Sequence, residues 1–190
     1  MRGAPDRNRS AVPAKCSFPP IVDDQARILV LGTLPGEESL RRQQYYAHPR
    51  NLFWQIVFAL FDAAPPTDYA ARLTFVAAHR IALWDVCELG ERERSADTTI
   101  RRERPNAIDR LLDEHPSICS VAFNGTTARR LYDRHFKRRE NLTYLALPST
   151  SPAHATVGFT EKLARWSPLR QILEEGEPLL RHDNANPTAC

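Results

Sequence analysis

The sequence predicts an α/β fold: a three-layer α/β/α domain around a central, mostly parallel, four-stranded sheet. Three observations carry this. Four short apolar runs recur along the chain, and each suits a buried strand. Longer stretches with apolar residues at helical spacing lie between them. Alternation of this kind places helices on both faces of parallel strands.

The elements follow in order. Residues 1–20 are rich in Arg, Pro, Ser and Asn and read as a mobile basic arm. Residues 27–32, closed by Gly32, form the first strand. Residues 51–61 are apolar around much of a helical circumference, and Asn51 at their start favours a buried helix. Residues 68–78 read as a further helix, and residues 81–84 as the second strand. A helix over 105–112 puts Ile108, Leu111 and Leu112 on one face. Residues 118–123 make the third strand, ending at Asn124-Gly125, with a helix over 126–135 behind it. Residues 142–147 are the fourth strand, and a last helix over 159–174 kinks at Pro168. The domain therefore spans 21–176, and 177–190 is a polar tail.

Composition bounds the function. The chain has 190 residues, 42% apolar, which is one domain with a real core. A charged share of 26% excludes whole-chain disorder. No apolar run approaches the ~20 residues that span a bilayer. The N-terminus lacks the apolar core of a secretory signal, so a cytoplasmic protein is expected. Net charge is +3, and only Lys15, Lys137 and Lys162 are lysines among 26 cations. The arginine excess fits either GC-rich coding or phosphate recognition by the guanidinium fork. Cys16, Cys87, Cys119 and Cys190 include no close pair, so neither a metal, an iron–sulfur cluster nor a disulfide framework is expected.

In open parallel sheets, ligands bind beyond the carboxyl ends of the strands. Four loops therefore matter. Gly32-Thr-Leu-Pro35-Gly36 can present backbone N–H groups to a ligand or serve as a tight structural turn. It matches neither a P-loop nor a dinucleotide fingerprint. Tyr45-Tyr46-Ala47-His48-Pro49-Arg50-Asn51 brings aromatics, an imidazole, a guanidinium and a carboxamide beside the first strand end. The aromatics suit base stacking. Asn51 either caps a helix or orients a water, which it cannot deprotonate at neutral pH. Asp85 either accepts from a ligand or caps a turn. Asn124 offers a donor and an acceptor to a heterocycle, or makes a turn with Gly125. The helix with Arg129, Arg130 and Arg134 either meets phosphates or is a solvated face. The last loop, from Leu147 to His154, is stiffened by Pro148 and Pro152 and crowded with hydroxyls that can bond phosphates.

Taken in order, Gly-x-x-Pro-Gly, Tyr-Tyr-Ala-His-Pro-Arg-Asn-x-Phe-Trp, Phe-Asn-Gly and Leu-Pro-Ser-Thr-Ser-Pro-Ala resemble the uracil-DNA glycosylase superfamily. The likeness covers residues 27–173 and is greatest to the hypoxanthine-DNA (deoxyinosine) glycosylases. The mismatch-specific uracil/thymine enzymes are similar in His-Pro-x-Asn-x-Phe-Trp. The resemblance implies that Pro35 and Gly36 border the flipped nucleotide and that Tyr46 stacks on the extruded base. Asn51 would position the hydrolytic water, Asn124 would contribute to base recognition or catalysis, and Ser149, Thr150 and Ser151 would grip phosphates. Beyond what the resemblance carries, Asp85 is a further candidate for the base, and His154 and Arg50 are further candidates for DNA contact.

Two departures shape the expectation. Many relatives carry Asp or Asn beside the first-motif proline, where this chain has Leu34. The water-holding role therefore falls to Asn51, as in the hypoxanthine branch. The main uracil enzymes open the fourth motif with a His that supports the departing base, where this chain has Leu147. The expected protein is a monofunctional, cofactor-free and metal-free monomer that acts on DNA containing deaminated bases, hypoxanthine first. A uracil, xanthine or mismatch enzyme, or a catalytically weak damaged-DNA-binding module, are the alternatives.

Overall fold

The computed structural model describes residues 14–92 and 99–175. Seven strands and seven helices follow one another: β1 (Ala14–Cys16), β2 (Ile28–Gly32), α1 (Glu37–Arg42), α2 (Phe53–Ala59), α3 (Tyr69–Ala78), β3 (Ile81–Asp85), β4 (Cys87–Glu91), β5 (Arg101–Pro105), α4 (Ile108–Glu114), β6 (Ser120–Asn124), α5 (Thr126–His135), β7 (Thr143–Leu147), α6 (Phe159–Trp166) and α7 (Pro168–Glu175).

The main sheet has the order β3-β2-β6-β7, and every pairing is parallel. This is the expected four-stranded α/β/α core. Every residue of β2, β3 and β6 is buried, as continuous apolar runs between two helical layers require. Alternation divides the core cleanly. Ile28 and Val30 face α2, α3, α6 and α7 through Ile56, Val76, Trp166 and Leu169. Leu29 and Leu31 face α4 and α5 through Leu111, Leu112, Leu131 and Tyr132.

The chain leaves β2 toward β3 on one side and later returns to place β6 on the other. The loops after β2 and β6 therefore diverge and leave a crevice at the carboxyl edge.

Three strands lie outside the predicted alternation. β1, β4 and β5 form a small antiparallel sheet beside the main one. The stretch from Ala14 to Pro20, expected within the basic arm, packs on the domain. Lys15 pairs with Gly90, Trp84 Nε1 donates to the Phe18 carbonyl at 3.0 Å, and Ile21 bridges to Leu83. The rest of the expected arm, and the tail 177–190, lie outside the described residues. The last helix breaks rather than kinks: α6 ends before Ser167 and Pro168 begins α7, where its missing N–H costs nothing. Among the described residues, no helix is long and apolar enough to cross a membrane.

Candidate active site

A cavity of about 110 Å³ opens at the crevice. Gly32 to Gly36 line one side, Tyr45, Tyr46, His48 and Asn51 another, and Asp85, Asn124 and the loop from Ser149 to Pro152 complete it. The four loops that sequence singled out thus meet in one place.

One wall is aromatic. Tyr46 stacks on Phe53 with ring centroids 3.7 Å apart and planes 17° apart. Phe53 is fully buried at the start of α2 and holds that ring from behind. Tyr46 takes a left-handed backbone, φ 54°, which an aromatic residue adopts only under tertiary constraint. The constraint comes from its flanks: Tyr45 N–H donates to Tyr69 Oη at 2.9 Å, and Ala47 N–H donates to Ser39 Oγ at 3.2 Å.

The turn from His48 to Phe53 fixes two further groups. Phe53 N–H donates to Asn51 Oδ1 at 2.9 Å, and Asn51 N–H donates to the His48 carbonyl at 2.8 Å. Asn51, one residue before the N-cap Leu52, therefore both accepts from the first N–H of α2 and lines the pocket. One lone pair of Oδ1 and both Nδ2 hydrogens remain for a water. Arg50 N–H donates to His48 Nδ1 at 3.1 Å. A backbone N–H can only donate, so Nδ1 is unprotonated and the ring proton sits on Nε2.

The first loop is held by groups that sequence reasoning missed. Arg92, 2% exposed, donates through Nη1 to the Leu34 carbonyl at 2.8 Å and through Nη2 to the Pro35 carbonyl. A lone Arg in an Arg-rich chain carries no signal by itself. Asp85 is buried, and Ser17 Oγ donates to its Oδ2 at 3.1 Å. Gly32 is needed here, because a Cβ would stand 2.5 Å from Asp85 Oδ1 and 3.2 Å from Tyr46 Oη. At the rim, hydrogen bonds from Arg41 and Arg42 pull the Glu38 carboxyl down to about 2.

The fourth loop is clamped to β6. Asn124 Nδ2 donates to Thr150 Oγ1, and Thr150 N–H donates to Asn124 Oδ1, both at 2.9 Å. Asn124 thus uses one Nδ2 hydrogen and one Oδ1 lone pair on Thr150, which fixes its orientation and leaves one Nδ2 hydrogen over. Thr150 is completely buried, which does not suit the DNA contact expected of it. Ser149 and Ser151 are half-buried and line the cavity. Gly125, at φ 104°, lets this loop close: a Cβ there would lie 2.9 Å from Ser149 Cβ.

Leu147 is 5% exposed among the apolar residues beneath α2 and α6. Its side chain belongs to the core, so a His there would bury an imidazole among hydrocarbons. Leu147→His is expected to destabilise the domain by ~2 kcal/mol, read as a lowered midpoint in urea unfolding.

Arg50 and His154 lie outside the cavity's interior. Arg50 is exposed on the turn before α2. His154 is exposed in a short 3-10 turn, Pro152–His154, and borders a groove with Thr126, Thr127, Arg129, Arg130, Arg134 and Asp133, whose carboxylate pairs with Arg138. Lys162 Nζ donates to the His154 carbonyl at 2.9 Å, so α6 anchors this turn. Burial pushes that ammonium's pKa down. On α5, Arg134 pairs with Glu103, while Arg129 and Arg130 have no acidic partner among the described residues. A shared groove with a hydroxyl-bearing helix start suits a phosphate chain.

Comparison with known proteins gives consistent findings. Residues 19–170 match the family described as the uracil DNA glycosylase superfamily. The chain is 40% identical over 112 residues to a protein of Methanosarcina barkeri named hypoxanthine DNA glycosylase, covering 58% of this chain and 71% of that protein. It is 39% identical over 115 residues to a protein of the same name from Methanosarcina acetivorans, covering 60% and 73%. A solution NMR structure of a candidate uracil DNA glycosylase from Methanosarcina acetivorans superposes with a TM-score of 0.74 at 32% identity, covering 84% of this chain and 99% of that one.

Proposed function

The chain belongs to the uracil DNA glycosylase superfamily, and from that membership we propose that it is a monofunctional glycosylase that releases hypoxanthine from DNA. The observation that carries this reading is the pairing of Asn51 with Tyr46 in one cavity. A carboxamide with a fixed orientation stands beside an aromatic ring braced from behind. Two relatives near 40% identity named for hypoxanthine support the choice of base.

The damaged nucleotide leaves the duplex at a cost of a few kcal/mol, least at a mismatch. Its base rests on Tyr46, between the Pro35–Gly36 backbone and the Ser149–Ser151 loop. The C1′–N9 bond breaks with its electron pair remaining on N9, which leaves an oxocarbenium-like sugar and an anionic base. Asn51 holds the water whose oxygen bonds to C1′. The proton that water loses ends on the departed base. Asp85 serves to hold Ser17 at the end of β3, because a carboxylate against a departing anion would raise the barrier. No lysine lines the cavity among the described residues, so no amine stands ready to attack C1′ and couple excision to strand cleavage. Arg50, His154 and the Arg129–Arg130 groove supply phosphate contacts. The enzyme is proposed to work as a monomer in the cytoplasm.

The test is direct. The protein is incubated with duplexes carrying deoxyinosine, deoxyuridine, deoxyxanthosine or a G·T pair and then treated with alkali. Strand scission fastest at deoxyinosine is the expected result. Faster scission at another base would reassign the substrate, and binding without scission would leave a damage-sensing module.

A further inference from the structure

We propose that His48 is a second catalytic residue, donating a hydrogen bond from Nε2–H to the C6 carbonyl oxygen of the base. The inference rests on the hypoxanthine reading above and deepens it.

Breaking the glycosidic bond leaves negative charge on the base, spread from N9 over the ring nitrogens and the exocyclic oxygen. A fixed donor aimed at that charge lowers the barrier most. Other donors near the cavity are turned toward protein partners. Asn124 bonds Thr150 through both Nδ2 and Oδ1 and keeps one Nδ2 hydrogen. The terminal nitrogens of Arg92 hold the Leu34 and Pro35 carbonyls. Leu147 is apolar and buried.

His48 differs from them. It is half-buried, lines the cavity, and has its tautomer set by the Arg50 N–H on Nδ1. Nε2 is on the other side of the ring and can only donate. Pro49 restricts the backbone of His48, and the Asn51 N–H to His48 carbonyl bond closes the turn. One turn therefore fixes both the proposed base donor and the proposed water holder.

A donor-only group also discriminates. It meets the C6 carbonyl of hypoxanthine as a partner and meets the C6 amino group of adenine as a second donor. A site built this way rejects the unmodified base through an unsatisfied contact. His48 gives up no proton: its N–H stays on the ring, the bond that breaks is C1′–N9, and the base takes its proton from the attacking water.

The experiment compares single-turnover excision of hypoxanthine and of unsubstituted purine, which lacks the C6 oxygen, in the same duplex. His48→Phe should slow hypoxanthine release by about 10²-fold and purine release by less than about threefold, so the ratio of the two rates collapses. His48→Gln, whose amide can donate near the Nε2 position, should regain about tenfold of the loss. Circular dichroism melting checks that both variants fold. A merely structural role would slow both bases alike and leave the ratio unchanged, which overturns the proposal, as would hypoxanthine release by His48→Phe within threefold of the unaltered protein. An unaltered protein that forms no abasic site at hypoxanthine removes the reading of function, and the inference with it. An active one with an unchanged ratio removes the inference alone.

Discussion

Asn51→Ala should release hypoxanthine about 10³-fold more slowly than the unaltered protein in single-turnover assays, because both the position and the orientation of the attacking water are lost. The variant also loses an acceptor for Phe53 N–H at the start of α2. A lost cap costs about 1 kcal/mol, which in a domain of this size lowers the melting temperature by ~2–4 °C. The two effects separate in Asn51→Ser. A serine hydroxyl can still accept from the helix start, so the melting temperature should largely recover, while excision stays lost because the carboxamide is gone. If Asn51→Ala excised at the unaltered rate, the water would be held by some other group. If Asn51→Ser restored activity along with stability, Asn51 would be a cap and nothing more.

Gly32→Ala should damage fold and site together. The added methyl would sit 2.5 Å from Asp85 Oδ1 and 3.2 Å from Tyr46 Oη. Neither neighbour yields easily. Asp85 is buried and bonded to Ser17, and Tyr46 is pressed against Phe53. Overpacking of this kind costs ~1–3 kcal/mol, seen as a lowered urea midpoint. Excision should fall further than stability, because the ring proposed to stack on the base is displaced even in molecules that fold. A fully active Gly32→Ala would mean that Tyr46 can shift without consequence, and would remove it from the base-binding wall.

The main sheet was legible because its strands are apolar throughout and its helices carry apolar faces at regular spacing. β2, β3, β6 and β7 all fall where the runs predict them. The small sheet was not. β5 reads Arg-Arg-Glu-Arg-Pro and lies on the surface, held by backbone pairing to β4 and by ion pairs such as Arg104 with Glu88 and Arg102 with Glu91. No residue of β5 is buried, so the strand has no hydrophobic period. β1 was hidden differently: Ala14–Cys16 sits in polar, Pro-rich surroundings, and its anchors, such as the Phe18 carbonyl under Trp84, are backbone atoms that every residue possesses.

The candidate site shows the same division. Tyr46 and Asn51, which offer chemistry by type, stand in motifs and could be chosen (His48 stands in the same motif, but the sequence assigns it no role). Those that act through position could not. Arg92 resembles every other arginine until its guanidinium is seen under the Leu34 and Pro35 carbonyls. Asn124 and Thr150 stand in motifs and were expected to meet the base and the DNA, but only the structure shows that they bond each other.

The order of the main sheet has a consequence for how the molecule comes into being. β2 is synthesised early, but one of its two partners, β6, belongs to the second half of the chain. The loop that faces the β2 turn across the cavity follows later still, and Lys162, which steadies its far end, comes after that. Contacts so distant along the chain are the slow ones to form. The site therefore depends on both halves of the chain: the aromatic ring and the carboxamide come from the first, and the loop from Ser149 to Pro152 that closes the cavity comes from the second.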